Sequence, residues 1–475
     1  MALTLAHAAL ALLASTHALL NKHDPRSAWV WITACCLLPA VGVLLYWWFG
    51  INRVERRARS ELGLPLAPAA RLPDDLVPSF SGVSHDEVSE LVHLGGKLSG
   101  RQLLAGNRIT PLFNGDVAYP AMIVAIDAAR TSVWLMSYIF DADTIGLRFA
   151  HALARAVERK VEVRVLLDGV GDLARGTRGS KLLRSLGIPV HLFMPLGLFP
   201  PLLHINMRNH RKLLCIDQGR AFVGGINIGD HHLLRPRTRR RLHLPSARTV
   251  AADLHFGVEG PVARQLAEVF ADDWQTSGGE PLDLSDPASR PCGTAYARAL
   301  ADGPNGELRR IQLLMAGAIA NAHHRVLIMT PYFIPSPELA AALTTAALRG
   351  VAVAVLLPER GDHPWLDAAS RRWLGQLIHH GVQIRLRPPP FAHSKLFLVD
   401  DYYALVGSAN LDPRSLRLNF ELMLEAYDRA LVALLTAHYE SVARTSPLLS
   451  EAQLHARPFH ARLLDSICWL LSPYL

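Results

Sequence analysis

Two stretches of the chain carry the same set of residues that can act on a phosphate ester. Each has a histidine, a lysine two positions later and an aspartate beyond it, followed by a small residue and an asparagine, in the pattern H-x-K-x4-D-x6-G-[GS]-x-N. The matched residues are His210, Lys212, Asp217, Gly225 and Asn227 in the first copy, and His393, Lys395, Asp400, Ser408 and Asn410 in the second. A single H-x-K-x4-D arises by chance in a long chain, but two copies with the same downstream residues do not.

The residue types in this pattern suit the cleavage of a phosphodiester. One imidazole can attack phosphorus as a nucleophile, and a second can donate or accept the proton. A lysine ammonium and an asparagine amide can stabilise charge on the phosphoryl oxygens in the transition state. Two such half-sites, brought face to face, would form one centre that needs no metal and no cofactor. The other histidines show no ligand spacing with acids or cysteines, and among them are His231, His232, His323, His324, His379 and His380.

Short apolar runs position both copies of the pattern. Leu213–Ile216 and Leu396–Val399 read as strands. Side chains two apart on a strand share a face, so each histidine should meet the substrate together with its lysine. Each aspartate lies at an odd offset, and it should brace the turn that follows its strand. Alternatively, each histidine and lysine could simply lie on the solvated face of an edge strand, without a catalytic role. This would explain one copy of the pattern but not its repetition.

Strands and helices alternate along the chain, which predicts an α/β fold of two pseudo-symmetric domains, each with a sheet flanked by helices. In the first half we expect helices at 121–129, 146–158 and 181–186, and strands at 132–138, 161–167 and 189–193. The second half repeats strands at 325–330, 351–357 and 382–386 and a helix at 337–348, and a further helix at 261–276 joins the halves. The predicted divisions are two transmembrane helices in 1–60, a linker in 61–106 with one short helix around 87–94, a first domain in 107–290 and a second in 291–475.

Composition favours a large protein that meets anionic partners. The chain has 475 residues, a net charge of +8 and 50% hydrophobic residues, which is high for a fully soluble enzyme. Its five cysteines are irregularly spaced and show no disulfide framework, so a reducing compartment is expected for the catalytic part.

The N-terminal region contains two long runs without charge, 2–20 and 28–50. Each is long enough to span a bilayer. The first lacks the basic start and the cleavage site of a signal peptide. Arg53, Arg56 and Arg57 follow the second run, and by the positive-inside rule they predict a helical hairpin with both ends and the catalytic domains in the cytoplasm.

The duplicated pattern resembles that of the phospholipase D superfamily, and nearly the whole chain is similar to its bacterial cardiolipin synthases. The stretches that carry this resemblance begin at Asp24, Leu44, Phe49, Asn107, Tyr138, Gly224, Pro331, Gly407, Arg414 and Asn419. The resemblance implies that His210 is the nucleophile and His393 the general acid, although the residues alone do not break that symmetry. It also implies that Glu421 orients His393, with Asp253 as the candidate partner of His210. Asn227, Asn410, Gly225 and Ser408 are expected around the substrate phosphate.

The reaction implied by the resemblance is the transfer of a phosphatidyl group between two phosphatidylglycerol molecules, giving cardiolipin and glycerol through a phosphohistidine. The expected partners are phosphatidylglycerol and other anionic lipids of the bacterial inner membrane, and not nucleic acid. A membrane-bound hydrolase with the same catalytic residues is the alternative, and a nuclease is a more distant one. The second lipid (phosphatidylglycerol or phosphatidylethanolamine) and the oligomeric state stay open.

One region departs from the family pattern. Where a Trp-Arg-Asp-like stretch is usual, residues 233–252 contain an arginine-rich loop at 235–241. Such a loop is either a solvated surface segment or a clamp for anionic headgroups. The departure bears on substrate preference and leaves the expected chemistry unchanged.

Overall fold

A computed structural model describes residues 2–22, 25–38, 40–50, 77–195, 207–235, 238, 250–285, 289–303 and 309–472. The chain forms two compact units, Met1–Leu64 and Pro65–Leu475. The arginines that follow the second apolar run, and nearly all of the loop 235–241, lie outside the described residues.

The N-terminal unit is helical where the two apolar runs were found. Its helices are α1 (Ala2–Asn21), α2 (Pro25–Leu37) and α3 (Val41–Leu45), and a π-helical turn follows at Tyr46–Gly50. Small residues of α1 pack against Cys35 and Tyr46, and Nδ1 of His17 lies 2.7 Å from the Tyr46 hydroxyl. No helix within the described ranges combines the length and the apolar character needed to cross a membrane.

The larger unit is built on a single sheet, in which the described residues form 14 strands. The strands of this unit are β1 Leu104–Phe113, β2 Ser132–Ser137, β3 Glu162–Asp168, β4 Val190–Phe193, β5 Leu213–Ile216, β6 Arg220–Gly224, β7 Ala251–Ala252, β8 Leu254–Glu259, β9 Ala295–Asp302, β10 Arg325–Met329, β11 Ala352–Pro358, β12 Gln383–Arg387, β13 Phe391–Ala392, β14 Leu396–Val399, β15 Tyr403–Gly407 and β16 Glu421–Tyr427. The two short strands β7 and β13 pair separately with each other.

The strand order shows the expected internal symmetry. The sheet runs β12-β11-β10-β14-β15-β16-β9 and then β1-β8-β6-β5-β2-β3-β4, so each half contributes seven strands in mirrored sequence. The halves join where β1 pairs antiparallel with β9. In both halves the motif strand, β5 or β14, lies antiparallel to the first strand of a parallel β-pair. This join makes the two motif strands parts of one continuous sheet.

Helices cover both faces of the sheet. The helices of this unit are α4 His85–Ser99, α5 Asn114–Ala128, α6 Thr144–Glu158, α7 Gly169–Ala174, α8 Arg178–Ser185, α9 Val262–Thr276, α10 Arg310–Ala320, α11 Pro337–Leu348, α12 Pro364–His379, α13 Pro413–Arg417, α14 Arg429–Ala443, α15 Glu451–His455 and α16 Phe459–Leu471. Along β2, Val133 and Leu135 face the core that α5 and α6 help to form, whereas Trp134 stacks on Phe270 of α9 at 5.6 Å. Every residue of β2 is therefore buried, as in a strand covered on both sides.

The α/β prediction is confirmed, and the predicted elements differ from the observed ones mainly at their ends. The motif strands have the predicted bounds, whereas the helix predicted at 121–129 begins at Asn114 and continues through Pro120. Helix α4 contains the short helix predicted around 87–94 and extends beyond it at both ends. Its Val88 and Leu91 belong to the core of the second half, which also includes Ile311 of α10. The domain boundaries themselves stay predictions.

Candidate active site

The segment before each histidine is hydrogen-bonded to the opposite half of the unit. The His210 amide donates to the Phe420 carbonyl at 2.9 Å, and the Phe420 amide donates to the Arg208 carbonyl at 2.8 Å. In the second copy, β13 pairs with β7, and the His393 amide donates to the Ala252 carbonyl at 2.8 Å. Each motif histidine is thus bonded through its backbone to the residue that precedes an acid of the other half.

This crossing decides which acid meets which histidine. Nδ1 of His210 lies 3.3 Å from the Glu421 carboxylate, and Nδ1 of His393 lies 2.6 Å from that of Asp253. The expected pairing of Glu421 with His393 and of Asp253 with His210 is therefore wrong. Each acid was assigned to a histidine of its own half, whereas the backbone pairing presents it to the histidine of the other. In both pairs Nδ1 faces the acid, and Nε2 of His393 lies 3.1 Å from Lys395 Nζ.

Glu421 is held by three side chains. It is fully buried and accepts hydrogen bonds from the hydroxyls of Ser408 at 2.5 Å and Ser415 at 2.6 Å, and from the Asn419 amide at 3.2 Å. The Ser408 hydroxyl also accepts a bond from the Leu422 amide at 2.9 Å. The expectation that Ser408 binds the substrate phosphate does not fit this geometry, because its buried hydroxyl is committed to positioning Glu421.

Gly225 has the corresponding place in the first half. A Cβ added at this position would lie 2.5 Å from one carboxylate oxygen of Asp253 and 2.6 Å from the other. The absence of a side chain therefore gives the Asp253 carboxylate its space. The Leu254 amide also donates to this carboxylate at 2.7 Å. Gly225 was expected near the phosphate, and the structure places it against the acid that orients His393.

The two motif lysines are buried beside their histidines. Lys212 Nζ donates to the His210 carbonyl, and Lys395 Nζ donates to the His393 carbonyl, both at 2.6 Å. Burial lowers the pKa of Lys212 to about 7, an effect that Glu421 opposes and the charge of Lys395 increases. Burial likewise lowers the pKa of Lys395 to about 8. The charges of the two half-sites therefore act on each other.

The histidines share this electrostatic environment. Burial is the largest cause that lowers the pKa of His210, and the charge of Lys212 adds to it while Glu421 opposes it. Burial also lowers the pKa of His393, together with the charges of Lys395, Lys212 and His210. For Glu421, burial acts to raise the pKa, but His210, Lys212 and Ser408 outweigh it and the pKa is lowered. Glu421 is therefore ionised beside His210, whereas burial raises the pKa of Asp253 to about 6.

The motif aspartates lie at the turns after the motif strands. The Asp217 carboxylate accepts from the amides of residues 130–132 at 2.8 to 3.1 Å. The Asp400 carboxylate accepts from the amides of residues 323–325 at 2.7 to 3.1 Å. Both aspartates have a positive φ, 48° and 54°. They tie each turn to the start of β2 or β10 and make no hydrogen bond to the motif histidines or lysines.

The motif asparagines are buried, with different partners. Asn227 accepts from the Ile139 amide through Oδ1 at 3.3 Å. Oδ1 of Asn410 has no hydrogen-bond partner among the described residues, although the Asn410 backbone amide donates to Ser415 at 2.8 Å. Thus Oδ1 of Asn227 has a hydrogen-bond partner among the described residues, whereas Oδ1 of Asn410 has none.

Aromatic residues line the site in positions that sequence reasoning did not assign a role. The Tyr138 ring lies 5.1 Å from the His210 ring and 5.5 Å from Lys212 Nζ. On the other side, Phe391 lies 5.8 Å from His393, and Tyr332 lies 6.5 Å from Phe391. Tyr138 lies one position after β2 and Tyr332 three positions after the equivalent strand β10, and an aromatic residue close behind both strands was the signal that could have identified them.

His232 is a further residue near the site that the sequence did not single out. Its buried ring lies 6.1 Å from that of His393, and its Nε2 accepts from the Asn227 amide at 3.3 Å. Burial lowers its pKa well below the usual value, so it is neutral. Within the described part of the chain, no three His, Cys, Asp or Glu side chains are grouped so that they could hold a metal ion.

Comparisons with known proteins identify the family. The family described as "Cardiolipin synthase, PLD-like domain" matches residues 122–237 and 315–443, and the family "Phospholipase_D-nuclease N-terminal" matches residues 9–50. Cardiolipin synthase A of Pseudomonas entomophila (strain L48) is 33% identical over 429 residues, which cover 89% of this chain and 87% of the relative. The chain belongs to the cardiolipin synthase family with phospholipase D-like domains. The resemblance inferred from the duplicated motif is confirmed.

Other relatives agree with this membership. The major cardiolipin synthase of Bacillus subtilis (strain 168) is 29% identical over 467 residues, covering 96% of this chain and 95% of the relative. The crystal structure of phosphatidylserine synthase from Haemophilus influenzae Rd KW20 matches with a TM-score of 0.61 at 15% identity, over 81% of this chain and 100% of that one. At this identity the structural likeness shows a shared fold.

Proposed function

We propose that this protein synthesises cardiolipin by transferring a phosphatidyl group from one phosphatidylglycerol to the hydroxyl of another. The observation that carries the proposal is the crossed pairing of His210 with Glu421 and of His393 with Asp253. It gives one centre two imidazoles, each oriented by an acid at Nδ1. Membership of the cardiolipin synthase family supplies the substrate class.

In the first step, Nε2 of His210 attacks phosphorus. A bond forms between nitrogen and phosphorus as the bond from phosphorus to the glycerol oxygen breaks, and His393, which enters this step as the imidazolium, gives its Nε2 proton to that oxygen. The attacking imidazole becomes positively charged, and the ionised Glu421 beside it stabilises that charge. The choice of His210 as nucleophile rests on the family resemblance.

In the second step, His393 accepts the proton of the incoming lipid hydroxyl. The new oxygen attacks phosphorus, the bond between phosphorus and His210 breaks, and cardiolipin leaves. Lys212 and Lys395, with Asn227 and Asn410, stabilise the negative phosphoryl oxygens in both transition states. Asp217 and Asp400 act by holding the turns after the motif strands. Gly225 and Ser408 act by positioning the carboxylates of Asp253 and Glu421.

We further propose that the protein is a multi-pass protein of the bacterial inner membrane. Two spans within residues 1–60 would hold the catalytic unit on the cytoplasmic side, since the arginines after residue 50 follow the second apolar run. Anchoring raises the effective concentration of two substrates that are confined to the bilayer. The N-terminal family match at residues 9–50 covers most of the first apolar run and all of the second.

The test is a product analysis with the purified full-length protein in phosphatidylglycerol vesicles. We expect cardiolipin and glycerol in equal amounts, and no product from His210→Ala or His393→Ala. Phosphatidate in place of cardiolipin would make the protein a hydrolase. Vesicles that also contain phosphatidylethanolamine show which lipid is preferred as the second substrate. Cleavage of nucleic acid without any cardiolipin synthesis would overturn the proposal.

A further inference from the structure

The last described helix, α16, packs on the second half through one narrow face. Asp465 on this face is 7% exposed and forms ion pairs with Arg371 of α12 at 2.9 Å and with Arg457 at 3.3 Å. Cys468 packs in a small apolar cluster with Ala369 of α12. These contacts determine which side of α16 faces the protein.

The opposite side of α16 is a stripe of large apolar side chains that face solvent. Six residues at spacings of one, three or four positions form it, with exposed fractions of 48 to 78%: Phe459, Leu463, Leu464, Ile467, Leu470 and Leu471. Single exposed apolar residues are ordinary on protein surfaces. A continuous stripe along one helix marks an interaction surface.

The charges around the stripe are positive. Arg462 is exposed on α16, and the exposed Arg372 of α12 lies 5.9 Å from the ring of Trp469. The single carboxylate of α16, Asp465, is buried and paired. An apolar stripe bordered by cations and without an exposed acid is complementary to an anionic lipid surface. A second copy of the same face would bring like charges together.

We propose that α16 is an interfacial helix that lies in the headgroup region of an anionic bilayer, with its stripe directed toward the acyl chains. This inference rests on the proposed function, because it adds a second membrane contact to an enzyme with lipid substrates. A cavity of about 230 Å³ lies beside the helix, and its lining includes Tyr332 together with Arg371 and Arg457, the two arginines that pair with Asp465. Docking of α16 would place this side of the catalytic unit at the bilayer surface.

Label accessibility in the full-length chain tests the position of the helix directly. A nitroxide is attached to Leu463→Cys in a background with Cys36→Ser and Cys292→Ser, because the other cysteines are buried. In vesicles of phosphatidylglycerol and phosphatidylcholine we expect the label to be reached by oxygen and protected from a water-soluble nickel complex. A label at Leu348→Cys, which replaces an exposed leucine of α11, should stay accessible to nickel.

Two outcomes would overturn the proposal. One is a label at position 463 that stays accessible to nickel in these vesicles. The other is a label that is protected to the same degree in lipid-free detergent micelles at high protein concentration and exposed on dilution, which would mean that a second copy covers the stripe.

An activity measurement then links the helix to the reaction. The triple variant Leu463→Gln, Leu464→Gln, Ile467→Gln should lose at least about fivefold more activity on vesicles than on short-chain phosphatidylglycerol dispersed as monomers. Arg462→Gln should weaken vesicle activity at low salt only. The control variant Leu348→Gln, Leu434→Gln changes exposed leucines of other helices. An equal loss on both substrates would reject the interfacial role, whereas a wild type that makes no cardiolipin would reject the proposed function and leave the label result standing.

Discussion

The carboxylate of Glu421 lies 3.3 Å from Nδ1 of His210, although 211 positions separate the two residues in the chain. The reciprocal contact, between Asp253 and His393, is 2.6 Å. Neither half of the catalytic unit therefore holds a complete histidine–acid pair of its own. The catalytic centre exists only when both halves are folded and joined through β1 and β9.

The two histidines should differ in the step that they support. We expect His210→Ala and His393→Ala each to lower cardiolipin synthesis by at least about 10³-fold. With phosphatidylglycerol labelled at phosphorus, rapid quenching of the wild type in alkaline detergent, in which a bond between phosphorus and histidine survives, should trap label on the protein, and His210→Ala should trap none. Label on the His210→Ala protein would show that His393 is the nucleophile.

The crossed pairing predicts that a Glu421 variant impairs the step of His210, and that an Asp253 variant impairs the steps of His393. Glu421→Gln removes the charge that stabilises the His210 imidazolium, so the rate of phosphoenzyme formation should fall by about 10² to 10⁴-fold. Asp253→Asn should impair proton transfer by His393 in both steps, so that, unlike Glu421→Gln, it also slows the turnover of phosphoenzyme already formed. If Glu421→Gln accumulated phosphoenzyme and Asp253→Asn formed none, the pairing would be the one within each half.

The lowered pKa values of Lys212 and Lys395 predict how kcat/KM falls at alkaline pH. Lys212 acts as a cation, and its pKa is lowered to about 7, so the charged form is lost as pH rises through that value. We expect kcat/KM to fall above about pH 7, and more steeply above pH 8 where Lys395 also loses its proton. Lys212→Arg should lower activity at neutral pH and flatten this limb, because arginine stays charged. An unchanged limb in that variant would assign it to another group.

Asp400 should contribute to stability more than to chemistry. Asp400→Ala leaves three backbone amides without their acceptor, which should lower the free energy of unfolding by about 1 to 3 kcal/mol. Thermal unfolding measures this loss. The adjacent exposed carboxylate provides the control, and Asp401→Ala should change the stability by less than about 1 kcal/mol. Activity per folded molecule should change little, and a loss as large as that of His393→Ala would contradict the bracing role.

A side chain at position 225 should impair catalysis by displacing the carboxylate of Asp253. In Gly225→Ala the new methyl group meets the Asp253 carboxylate at 2.5 Å, so the acid must move away from His393. A displacement of this size should lower kcat by about 10²-fold. The control is Gly257→Ala in β8, where the nearest atom would be at 3.7 Å. Full activity of Gly225→Ala would show that the position of Asp253 is not critical.

Much of the architecture follows from local pattern. The apolar runs at Leu213–Ile216 and Leu396–Val399 specify strands because their side chains alternate between two buried faces. The repeated motif specifies two equivalent halves and the family, and comparisons with known proteins confirm that family. Spacing along a strand also places each lysine beside its own histidine, since that relation spans only two residues.

Relations between distant residues needed the tertiary structure. Glu421 and Asp253 were identified as acids but assigned to the wrong histidines, because strand periodicity contains no information about which half lies opposite a given edge. Ser408 was expected at the phosphate because a serine hydroxyl suits that role. Only the packing shows that this hydroxyl is buried against Glu421. The sequence by itself thus determined the catalytic residue types, their strands and the family. The join between β1 and β9 decided how the two halves combine into one site, because only the folded sheet brings side chains 140 and 211 positions apart into hydrogen-bonding distance.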